Sequence, residues 1–133
     1  MKAMQKEVRA SAQTPRDLSG AGLRTFFQIA ERWGLSTDEQ MILLGRPGRT
    51  TFFRWKKEGA QALSPDVLER ISYVLGIYKA LHILFPNREQ ADGWVRRPNS
   101  APMFAGKSAM DRMLAGQVTD LYWVRQYLDA MRG

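Results

Sequence analysis

Three observations predict an all-α fold for this chain. From Leu23 onward apolar residues recur at helical spacing. Several runs open on a residue that caps helices, and most close on glycine or proline. No segment alternates apolar and polar residues as a half-buried strand does. The pattern gives about seven helices and no internal repeat of fixed period.

The first helix carries Leu23, Phe26, Phe27, Ala30 and Trp33 on one face and ends at Gly34. Ser36-Thr-Asp-Glu39 is a capping box, opening a second helix with Met41, Leu43 and Leu44 apolar and a stop at Gly45. A third starts near Arg49 and stops at Gly59. Ser64-Pro65-Asp66 combines a capping serine, a proline at the first helical position and an acid in the first turn. The helix it opens runs through Val67, Leu68, Ile71, Val74, Leu75, Tyr78, Leu81 and Leu84 to Pro86. Its apolar residues spread past a single stripe, so it must be buried on several sides and serves as a spine or subunit contact. Asn87 caps a shorter helix with Ala91 and Trp94. Pro98 to Gly106 is a loop, Ser108 with Asp111 opens another turn, and Val118 to Met131 forms the last helix. The expected layout is a mobile tail over 1–19, a helix-turn-helix over 20–63, a connecting or dimerisation helix over 64–86 and a C-terminal module over 87–133. A helical arm is the alternative reading of the tail.

The 133 residues carry 20 Lys+Arg against 13 Asp+Glu, a net charge of +7, and a sequence pI near 10.1. Such a balance fits nucleic acid, though alone it fits an anionic membrane or an acidic protein about as well. The absence of cysteine excludes disulfides, thiolate metal sites and a cysteine nucleophile. No apolar run approaches the roughly 18 residues of a membrane span, and no apolar stretch follows Lys2 and Lys6 as in a signal peptide. A cytoplasmic protein without a membrane partner is expected.

The third helix follows a Gly45-Arg-Pro-Gly48 break and is strongly basic, the shape of the second half of a helix-turn-helix. With Phe52 and Trp55 turned inward, Arg49, Thr50, Thr51, Arg54 and Lys57 lie toward the outside. Arg46 in the turn and Lys56 join them as phosphate contacts. The competing reading is a solvated basic face. Over Gly20–Leu63 there are 7 Lys+Arg and 4 acids, an excess of only +3, so dimerisation over two half-sites is expected. The connection is longer than the usual turn of about three to four residues.

Beyond Asn87 no catalytic constellation is present. The single histidine, His82, sits in an apolar helix, and the scattered Asp92, Asp111, Asp120 and Asp129 suit capping and solvation. Neither enzymatic activity nor a cofactor is expected. Ala91-Asp-Gly-Trp94, Arg97-Pro-Asn99, Phe104-Ala-Gly-Lys-Ser108, Asp111-Arg-Met-Leu114 and Val124-Arg-Gln-Tyr-Leu-Asp-Ala130 together resemble the toxin-binding domain of the Xre/MbcA/ParS antitoxins. The upstream Arg-Thr-Thr-Phe-Phe-Arg-Trp run is similar to that family's helix-turn-helix, so the resemblance spans roughly Leu23 to Gly133. The family often has proline at the place of Ala109 and a second glycine at that of Ala105.

The resemblance implies a type II antitoxin. Its partner would be a RES-like toxin with a fold similar to ADP-ribosyltransferases, one that degrades NAD or ADP-ribosylates a target. The antitoxin covers the toxin's active site, and a homodimer or higher toxin–antitoxin complex binds operator DNA at its own promoter. Trp94, Arg97, Asn99, Phe104, Lys107, Ser108, Arg125 and Arg132 are the toxin-binding residues this implies. Gly-Lys-Ser is not a phosphate-binding loop, because neither the upstream glycine nor a strand precedes it. A site built for a pyrophosphate is open to block by a cation, which singles out Arg132, Lys107 and Arg97. A stand-alone regulator is the competing function, and a helical enzyme or adaptor a more distant one.

Overall fold

A computed structural model describes residues 15–60 and 62–133. Among these residues it holds seven α-helices, a single 3-10 turn and no strand. They are α1 (Pro15–Arg32), α2 (Thr37–Leu43), α3 (Arg49–Glu58), α4 (Pro65–Leu84), α5 (Arg88–Gly93), α6 (Ala109–Met113) and α7 (Val118–Arg132), with the 3-10 turn at Trp94–Arg96. No helix among the described residues is long and apolar enough to cross a membrane.

The caps stand where their residues predict. Ser36 and Glu39 form a reciprocal box at α2, and Ser108 and Asp111 another at α6. The Ser64 hydroxyl accepts from the Val67 amide at α4, and Asn87 Oδ1 from the Gln90 amide at α5. One boundary differs. Helix α1 opens at Pro15, so the last five residues of the stretch read as a tail are helical, while residues 1–14 lie outside the described part. Ser19, inside the stretch read as a tail, is fully buried, and its hydroxyl accepts a hydrogen bond from the Leu63 amide at 3.0 Å. A buried serine with a backbone partner adds no break.

Helix α4 is the spine. It packs against α1 on one side and against α5 and α7 on the other. Ile71, Val74, Ile77, Ala80 and Leu81 are buried along it, joining the cores of the two halves. His82, near its end, places Nε2 2.8 Å from Asp92 Oδ1 and stacks on Tyr78. Asp92 therefore ties α5 to α4, beyond the solvation assigned to it from sequence.

The connection between α2 and α3 runs from Leu44 to Gly48. Gly45 (φ 90°) and Arg46 (φ 63°) are both left-handed, and the Arg46 and Gly45 amides donate to Met41 O and Ile42 O at 2.8 and 3.1 Å. That 6→1 and 5→2 pair closes α2 as a Schellman motif, after which Pro47 leads to the Gly48 cap of α3.

Candidate functional sites: a basic helix face and a braced loop

Helix α3 buries Phe52 completely and half-buries Trp55. At about 100° per residue, Arg49, Phe53 and Lys57 stack along the opposite line, flanked by Thr50 and Arg54. All five are exposed. The helix opens at Gly48 with no side-chain cap and no acid in its first turn, leaving its first amides unpaired by side chains. Three residues read as part of this face lie elsewhere. Thr51 is half-buried on the flank, and the Lys56 ammonium lies 5.9 Å over the Phe27 ring on the α1 side. The Arg46 guanidinium turns away toward Gly116, where a Cβ would stand 3.5 Å from Nη2. Left-handed Arg46 thus aims at the C-terminal module.

The second surface is built on residues 97–108. Pro98 and Ser108 form a single antiparallel bridge, and Asn99 exchanges backbone bonds with Lys107 and Gly106 at 2.9 Å. Asn99 Oδ1 also accepts from the Ala101 amide, so this residue shapes the loop from within. Trp94 and Phe104 form the floor. Their rings stand edge to face at 6.1 Å, and both contact Tyr127 of α7, at 6.1 and 5.1 Å. Trp94 is 9% and Phe104 3% exposed, so both support the loop from beneath and offer little surface to a partner. Arg97 donates to Gln90 O at 2.9 Å and lies over Gly93, bracing the loop against α5.

Phe104, Lys107 and Ser108 do meet at one place, the wall of an open groove of about 560 Å³ completed by Met103, Asp111, Arg112 and Ala115. Lys107 is exposed at its lip. Ser108 caps α6, and its amide donates to the Asp111 carboxylate, holding that acid below its usual range. Arg112 donates to Asp120 Oδ1 at 2.8 Å, and Asp120 Oδ2 accepts from the Gln117 amide, so the acid caps α7 while it pairs. Asp111 is legible in the sequence only as the cap partner of Ser108, and Arg112, the next residue, carries no sequence signal for the groove.

Arg125 and Arg132 do not join this groove. Residues 125 and 127 are about 200° apart on α7, and Tyr127 faces the loop. Arg125 instead crosses α4 at Gly76, where any Cβ would collide with its guanidinium, and it bonds Asp129 at 3.1 Å. Arg132 stands 3.8 Å from the same carboxylate.

Two departures from the family pattern have a backbone meaning. Ala105 adopts φ 51°, a left-handed conformation natural to glycine, and Ala109 occupies the first position of α6, where proline fits. Ala105→Gly should raise stability by about 0.5–1 kcal/mol by relieving that strain, read as a higher urea midpoint at unchanged m. A lower midpoint would mean that the loop gains more from the methyl than it loses.

One side chain ties the 3-10 turn beside the loop to α2 and to the end of α1. Arg96 donates to both Glu39 carboxylate oxygens, at 3.0 and 2.8 Å, and to Gly34 O at 3.2 Å. Glu39 is at once the capping-box acid of α2. The Arg96 hydrogen bonds hold its carboxyl down to about 2 from an ordinary 4.5, and Arg96 is raised in turn.

Residues 12–76 match the antitoxin Xre-like helix-turn-helix domain, and residues 80–133 the antitoxin Xre/MbcA/ParS C-terminal toxin-binding domain. An uncharacterised protein of Sinorhizobium fredii (strain NBRC 101917 / NGR234), y4oB, is 58% identical over 113 residues, 85% of either chain. With the basic helix inside the first match and the braced loop inside the second, the chain belongs to the Xre/MbcA/ParS family of antitoxins, type II antitoxins that join a DNA-binding helix-turn-helix to a toxin-binding domain.

Proposed function

We propose that this antitoxin neutralises a RES-like, NAD-consuming toxin by seating residues 97–108 and the adjoining groove over the toxin's active site. As a dimer, or bound to toxin, it then binds and represses its own promoter. The observation that carries the toxin arm is the position of Lys107. It projects from a loop whose backbone is fixed by a bridge, an Asx turn and an aromatic floor, so the point from which the flexible lysine stem reaches out is set in advance. A pocket shaped for a pyrophosphate takes such a group readily. Co-purification with the product of the neighbouring gene tests the pairing itself. Lys107→Glu and removal of Met131–Gly133 then compare the two cations: the one that blocks the site should cost at least tenfold in protection of cells. Unchanged protection by both variants would sink the cationic plug.

For the DNA arm, Arg49→Ala with Arg54→Ala should abolish a promoter gel shift, leave toxin binding intact and flatten the salt dependence of any residual binding by about two charges per half-site. If the shift persists, α3 is not the reader.

A further inference from the structure

The strip Arg49–Phe53–Lys57 holds one residue that an electrostatic account of DNA binding does not use. Phe53 is 45% exposed at the middle of the basic face of α3. It is not loose there. Its ring stands edge to face against fully buried Phe52, with centroids 5.3 Å apart and planes at 80°. The Arg49 guanidinium lies over it, Cζ 5.4 Å from the ring centroid, and its Nη1 stands 3.7 Å from Asp38 Oδ1. An apolar ring is thus held in fixed register with an arginine, one turn apart, on the line of α3 opposite its buried side.

The cations around the ring, Arg49, Arg54 and Lys57, fit a polyanion. An anionic groove, however, offers phenylalanine a single apolar match: the C5-methyl of a pyrimidine, which stands in the major groove beside the O6 and N7 acceptors of neighbouring guanines. We infer that Arg49 and Phe53 act as one unit reading a two-base step, Arg49 taking the guanine edge and Phe53 packing on the adjacent pyrimidine methyl. The stacking of guanidinium on ring sets the arginine's direction before DNA arrives, which lowers the ordering cost of its paired hydrogen bonds. Phe53 is then a specificity residue. Its removal costs discrimination more than it costs general affinity, since the phosphate contacts remain.

This rests on the proposed promoter binding, and the test separates the two. A promoter fragment amplified with dTTP, a second amplified with dUTP and a third amplified with 5-methyl-dCTP in place of dCTP are titrated with the full-length antitoxin, its Phe53→Ala variant and its Phe53→Gln variant. An unrelated fragment of equal length serves as reference. Failure of the native protein to prefer the promoter over the reference would overturn promoter reading itself. With that preference present, the native protein should bind the uracil fragment about fourfold more weakly per half-site, the effect of one buried methyl, or about fifteenfold over two. Both variants should bind thymine and uracil fragments alike. Tighter binding of the 5-methylcytosine fragment, with no loss on uracil, would assign the methyl to methylated cytosine. The contact is overturned if the native protein is indifferent to every methyl. It is equally overturned if the variants keep its methyl dependence, or if they lose dimerisation in solution while that dependence survives, because Phe53 then packs on protein.

Discussion

Phe104→Ala should lower unfolding stability by about 3–4 kcal/mol, or roughly 10 °C in melting temperature for a chain of this size. The ring is 3% exposed and stands edge to face against both Trp94 and Tyr127, so its removal opens a cavity in the cluster that joins residues 97–108 to α7. The loop then loses its floor, and toxin capture falls with it. Urea unfolding of the free antitoxin isolates the structural part, and Phe104→Leu should recover most of it at a cost near 1 kcal/mol. A Phe104→Ala protein that unfolds like the native one yet fails to hold toxin would restore the simpler view of Phe104 as a contact residue.

Arg96→Ala comes next in size. Glu39 titrates lower in the folded chain than in the unfolded one, so the pair's contribution is complete above about pH 4.5 and disappears as the pH falls from there toward about 2. With 41% of the Arg96 side chain exposed, solvent screens the pair, and we expect a loss of about 1–2 kcal/mol at pH 7. Melting temperatures of native and Arg96→Ala protein should therefore differ at pH 7 and converge near pH 2. Arg96→Lys should not restore the difference, since one ammonium cannot repeat a two-pronged contact on a carboxylate. Parallel curves at every pH would show that Arg96 contributes through packing and its bond to Gly34 O, without the Glu39 pair.

The sequence carries the local chemistry of this fold well. Ser36 with Glu39, Ser64 with Pro65 and Ser108 with Asp111 announce their helices because each cap is satisfied within three residues. What escapes it is long-range. Ser19 looks like a break until Leu63, 44 residues on, supplies its partner. Glu39 looks like a cap and nothing more until Arg96 arrives from 57 residues away. At the sites, residue type pointed to the right region while depth stayed invisible. Trp94 and Phe104 belong to the toxin-binding segment but lie under it, and Arg125 is taken up by Gly76. Phe53 carries no signal in the sequence because its neighbour Phe52 satisfies the apolar period, leaving no pattern to show that a second phenylalanine faces outward.

The two matched domains meet between residues 76 and 80, in the middle of α4. The boundary falls where Val74, Ile77 and Leu81 are buried in a core common to both halves, and where Gly76 alone makes room for Arg125 of the last helix. A genetic crossover at that point would marry two half-helices whose outward packing was shaped against different partners. Exchange of one half between relatives should therefore be costly, which ties the DNA-binding end to the toxin-binding end. Lineages of this antitoxin should diversify by drift on the outer face of α3 and at the lip around Lys107, and seldom by trading one end of the protein for another's.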